Sequence, residues 1–101
     1  MDISTIHFHD AQILKVIEDT QTDTFTMEVE YPVDGKNNKF EKRRLIFEDA
    51  IDYKISEIPF QGSPTILDAK IISKDARRSR IRLETNAGYR ELSCVSVQLA
   101  K

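Results

Sequence analysis

Thr24-Phe25-Thr26-Met27-Glu28-Val29-Glu30-Tyr31 is the stretch on which the fold turns. Apolar Phe25, Met27, Val29 and Tyr31 alternate strictly with threonine and glutamate. That period of two puts one face of a strand in a core and the other in water. β-Branched and aromatic side chains suit such a pleated surface. The octet is a strand. On its N-terminal side, Asp19-Thr20-Gln21-Thr22-Asp23 is a polar connector back to Ala11–Glu18, which carries Ile13, Leu14, Val16 and Ile17. Two readings of that segment compete. Asp10 would cap a short helix with Ile13, Val16 and Ile17 at near-helical spacing, or the segment pairs as a strand with 24–31. A two-turn helix is weak alone, so the strand is the preferred reading.

On the C-terminal side, Pro32-Val33-Asp34-Gly35-Lys36-Asn37-Asn38 has the residues of a hairpin connection. A strand is expected from Phe40 to Phe47, broken by Glu48-Asp49-Ala50. Ile51 to Ile58 alternates again and would place Ile51, Tyr53 and Ile55 on one face. Pro59 and Gln61-Gly62-Ser63-Pro64 form an irregular loop that a central strand would not accept. Further strands are expected over Thr65–Ser73, over a segment where Ser79, Ile81 and Leu83 alternate with charges, and over Tyr89–Leu99. Between the last two, Asn86-Ala87-Gly88 supplies a glycine for a tight hairpin. Pairing Leu83 with Leu92 and Ile81 with Cys94 leaves Val95, Val97 and Leu99 on the wrong face. That conflict predicts a β-bulge near Cys94-Val95, or a last strand buried on both faces. The pattern is mainly β: an antiparallel β-sandwich or small barrel of about seven to eight strands, with at most one short helix.

The 101 residues make one β-rich domain, 1–101. With 40% hydrophobic and 32% charged residues the chain has an ordinary globular composition. Cys94 is its only cysteine, which rules out an intrachain disulfide and suits a reducing compartment. The first ten residues lack the basic and apolar regions of a secretory signal. No apolar run approaches the roughly 20 residues that span a bilayer. A cytoplasmic location and no membrane partner are expected.

Catalytic patterns are sparse. No serine sits in a glycine-flanked elbow, and Gly35, Gly62 and Gly88 stand singly, so nothing cradles a nucleotide phosphate. Cys94 lies in an apolar strand, where a thiol is inert packing. His7-Phe8-His9 carries the one metal-ligand spacing: on a strand, His7 and His9 share a face and can reach one ion. These are the only two histidines, and Asp10 would point to the other face. A metal-dependent enzyme at His7 and His9 is therefore an alternative, while the primary expectation is no enzyme and no cofactor.

Charge is segregated along the chain. Residues 1–34 hold eight acids against Lys15, 35–68 hold six of each sign, and 69–101 hold eight bases against three acids. The sums, −7, 0 and +5, give the net −2. Arg78, Arg80 and Arg82 would form a stripe on one strand face at a spacing of about 6.5 to 7 Å, and Lys42, Arg43 and Arg44 a second cluster. Guanidinium groups so spaced contact phosphates or carboxylates. Nucleic-acid binding on a sheet adds stacking aromatics, and none interleaves the stripe in sequence. That makes nucleic acid the alternative and an acidic protein, or another copy of the chain, the preferred partner. Glu28 and Glu30, with Thr24 and Thr26, form the polar face of the 24–31 strand, read first as a solvated face that discourages edge pairing and alternatively as part of an acidic docking surface with Asp19, Asp23 and Asp34.

Phe8-His9-Asp10-Ala11, the alternating Phe25 to Val29, and Leu45-Ile46-Phe47-Glu48-Asp49-Ala50 together resemble small bacterial β-rich proteins. In these a His-Asp dipeptide precedes a β-hairpin and a Leu-x-Phe strand ends in a short turn. Some of them resemble immunity proteins of bacterial toxin systems. The matching pieces cover about half of the chain. The resemblance transfers no site residue; it implies a protein-binding role.

Overall fold

A computed structural model describes residues 3–59 and 61–101. Eight antiparallel strands follow in chain order: β1 (Gln12–Asp19), β2 (Thr24–Asp34), β3 (Lys39–Glu48), β4 (Ile51–Glu57), β5 (Ile66–Lys74), β6 (Ser79–Thr85), β7 (Gly88–Cys94) and β8 (Ser96–Ala100). They form two four-stranded sheets, ordered β1-β2-β3-β8 and β4-β7-β6-β5. The mainly-β expectation holds, and no helix occurs among the described residues. Residues 12–19 are a strand, with Asp10 in a left-handed turn (φ 73°) instead of capping a helix.

β2 has the predicted faces. Phe25, Met27, Val29 and Tyr31 are all buried, alternating with half-buried Thr and Glu. Opposite them β3 contributes Leu45 and Phe47; the second sheet answers with Ile66, Ile81, Leu83, Leu92 and Cys94. One continuous core therefore lies between the sheets. Such side chains each contribute roughly 1.5–3 kcal/mol when withdrawn from water.

The sheets are sewn together at two places. At the first, β3 runs into β4 through Asp49-Ala50, and β7 runs into β8 through Val95. Here the Val95 amide donates to the Glu48 carbonyl (2.9 Å) and the Ala50 amide to that of Asp23 (2.7 Å). The predicted single strand over 89–99 is thus two strands in different sheets. Val95 stands between the two ladders and resets the phase: Leu92 and Cys94 are buried before it, and after it Val97 and Leu99 stand opposite Phe47 and Leu45, with Leu99 still partly exposed. The irregularity lies where the conflict required it, as a corner and not as a bulge or a doubly buried strand. At the second place, Gln12 bridges to Thr65, and the Ile13 and Ile66 amides donate to the carbonyls of Pro64 and Ala11 (both 2.8 Å). The sandwich is in this way partly closed towards a barrel.

Two further expectations are corrected. β6 pairs with β7 two residues out from the predicted register, Ile81 opposite Leu92 and Leu83 opposite Arg90. The shift by an even number preserves the faces and moves only the neighbours. In β4, Ile51 does not share a face with Tyr53 and Ile55. A bulge between Ile51 and Lys54, with Asp52 at φ 57°, inserts one residue and turns Ile51 outward.

Candidate functional site

The histidines do not lie on a strand: residues 7–10 are irregular and turn. The His7 amide donates to the Tyr31 hydroxyl (2.9 Å), and the two imidazoles meet edge to face at 6.3 Å between centroids. His9 Nδ1 lies 3.1 Å from Asp10, which the left-handed turn brings back towards it, and both side chains are exposed. The rings border an open depression of about 440 Å³ between the N-terminal segment and β5. Among the described residues no group of three potential metal ligands converges.

The arginines separate. Arg78 precedes β6 and leaves the stripe: its guanidinium donates to the Asp49 carbonyl and carboxylate (3.1 and 2.8 Å), and Arg77 clamps the other oxygen of Asp49. Arg80 and Arg82 do share the outer face of the second sheet, where β7 places Glu91 between them. Glu91 accepts from both at 3.1 Å, Arg80 also meets Asp52 (3.1 Å), and Arg82 also meets Glu84 (2.9 Å). Arg82 further stacks on Tyr89, 3.8 Å from the ring centroid. An aromatic thus lies on the stripe after all, contributed by the neighbouring strand. Each guanidinium is committed to carboxylates of its own sheet, which removes the field that would attract phosphates.

Glu28 and Glu30 occupy the outer face of β2, as predicted, but cations flank them. Lys15 on β1 lies 3.8 Å from Glu28, and Arg44 and Lys42 on β3 stand opposite Glu28 and Glu30 in register. The glutamates of β2 are thus interleaved with cations of β1 and β3, while most of the basic C-terminal third lies in the other sheet.

A group absent from the sequence reading lies at the seam between β1 and β4. Arg90 and Glu57 form a bidentate pair, Nε to Oε2 at 2.8 Å and Nη2 to Oε1 at 2.9 Å. Only 11% and 10% of their side-chain surfaces are exposed. Arg90 Nη1 donates to the Tyr53 hydroxyl (3.1 Å), and Thr85 Oγ1 donates to Glu57 (3.3 Å). Burial pushes the Tyr53 phenol above its ordinary pKa, against the opposing pull of Arg90. Its ring packs on Phe25 at 5.1 Å. One signal was available in the sequence: Arg90 has the parity of Leu92 and Cys94, and a charge on an inward face demands a partner. The partner, 33 residues away, follows only from the register of β4 on β7.

Tyr53 and Arg90 of this cluster line a cleft of about 420 Å³ together with Leu14, Val16, Ile55, Ser63 and Pro64. Arg90 uses three of its five N–H groups on Glu57 and Tyr53. Leu14 (40%) and Ile55 (51%) of the cleft are exposed, as are Ile17 (44%) on β1 and Ile58 (69%) just beyond β4. β1 and β4 are each the last strand of their sheet, so their outer backbone edges carry no further strand. Cys94 is far from such chemistry: it is fully buried, and burial pushes its thiol up to about 11.

Among the described residues no helix is long and apolar enough to cross a membrane. No family model and no curated protein sequence matches the chain. Among solved structures the chain is similar to an uncharacterized protein from Neisseria gonorrhoeae, with a TM-score of 0.54 and 13% identity over 92% of each chain. At that identity the likeness shows a shared fold.

Proposed function

We propose that this is a non-enzymatic binding protein that takes a polypeptide partner along the β1–β4 seam. The observation that supports the reading is the coincidence of exposed Leu14, Ile17, Ile55 and Ile58 with two strand edges that end their sheets. Edge backbone groups supply affinity to an added strand, and apolar side chains beside them supply selectivity. Arg80 and Arg82 are already paired with Glu91, Asp52 and Glu84, which favours the seam over that face as the contact surface. An immunity-type role, in which a small protein blocks a toxin by binding it, agrees with the resemblance noted above.

Co-purification from the native cell tests the reading with the wild type and with Ile55→Lys and Ile58→Lys. Both positions are exposed, so the variants should fold. A partner held by the wild type and lost from both variants is the expected result. The same partner retained by both would overturn the seam as the contact surface.

A further inference from the structure

We propose that one occupant of this seam is a second copy of the chain, paired antiparallel through β1 about a two-fold axis at Ile17; the inference rests on the binding reading above and names its partner. The open part of the β1 edge sets the register. Residues 12 and 13 are already engaged with 64 and 65 through the Gln12–Thr65 bridge and the Ile13–Pro64 hydrogen bond, and Leu14 is the extra residue of a bulge. Lys15 to Asp19 remain, and Ile17 is their midpoint.

Partners in an antiparallel pair share a face, and a two-fold axis makes the interface self-complementary. On β1 the outward residues are Lys15, Ile17 and Asp19, opposite Glu28, Thr26 and Thr24 of β2. Pairing about Ile17 therefore sets Lys15 against Asp19 of the second copy, Ile17 against Ile17, and Asp19 against Lys15. Two opposite-charge pairs flank an apolar contact made by a side chain that is 44% exposed in the single chain. Asp19 uses Oδ1 to hold the amides of Gln21 and Thr22 and presents its other oxygen to the lysine.

The remaining end strands lack this complementarity. Pairing β4 about Ile55 puts Lys54 opposite Ser56. β5 carries register shifts at Leu67 and Ile72, a feature that discourages edge pairing. β8 has no charged residue within Ser96–Ala100.

Light scattering across a concentration series is the test, with Lys15→Glu, Asp19→Lys and their equimolar mixture beside the wild type. The wild type should move towards the mass of two chains as concentration rises. Each single variant sets like charges opposite at both pairs and should weaken association by about tenfold or more. The mixture restores both pairs, Glu with Lys at one and Asp19 with Lys15 at the other, and should associate as well as the wild type. Because Asp19 also holds a turn, Ile17→Glu serves as a second disrupting variant that touches no turn contact. A wild type that stays single at every concentration, or a mixture no better than its components, overturns the proposal. A foreign partner captured by a chain that stays single would overturn this inference alone and leave the binding reading standing.

Discussion

Removing the carboxylate of Glu57 puts the seam cluster to a quantitative test. In Glu57→Ala, Arg90 loses two hydrogen bonds of 2.8 and 2.9 Å and keeps only the Tyr53 hydroxyl, at a site where 11% of its side chain reaches solvent. Breaking a buried pair by deleting one member costs about 3–5 kcal/mol, because a charge stays behind without its counter-charge. The small solvent exposure favours the lower end, about 3 kcal/mol. For a domain of this size that lowers Tm by roughly 12–24 °C. Differential scanning calorimetry at neutral pH reads the shift directly. The double variant Glu57→Leu, Arg90→Met removes both charges and fills the space with apolar atoms, so it should recover most of the loss. A loss below about 1 kcal/mol for Glu57→Ala, or a double variant no more stable than the single one, would refute the claim that the pair is held together against desolvation.

Gly88 opens β7 at φ 150°, and a Cβ there would run into the Ser56 carbonyl oxygen. Gly88→Ala should cost roughly 2 kcal/mol or more in urea unfolding, whereas Gly35→Ala, in open space, should stay within about 0.5 kcal/mol. With its thiol at about 11, Cys94 should be inert to iodoacetamide at pH 8 in the folded protein and react on unfolding; rapid native labelling would contradict its placement. Cys94 and Tyr53 both ionise later in the folded chain than in the unfolded one. Their contribution is full below pH 9 and is lost for Cys94 as pH rises from 9 to about 11, by up to roughly 3 kcal/mol. Unfolding midpoints that stay flat over that interval would count against it.

The elements legible in the sequence were those governed by local alternation. β2 was unambiguous because each of its residues reports its own face, and the choice of strand for residues 12–19 followed from the weakness of the competing helix. What escaped depended on register, which no local pattern encodes. Asp52 adopts a left-handed conformation without being glycine, so the flip of Ile51 left no mark in the composition. The stripe of Arg80 and Arg82 looked unpaired because its counter-charges, Glu91 and Asp52, belong to strands reached only through pairing. The same holds for Glu57 and Arg90. The phase conflict at Val95 was visible, yet its resolution required knowing that a second sheet lay waiting to receive β8.

The corner at Asp49-Ala50 and Val95 means that one continuous ribbon serves as wall for both sheets. Peeling either sheet away would pull on corners that run directly into strands of the other, so neither half offers a separable unit for partial opening. Amides in β2 and in β6 should then exchange with deuterium through a single shared event, and thermal melting should proceed in one step.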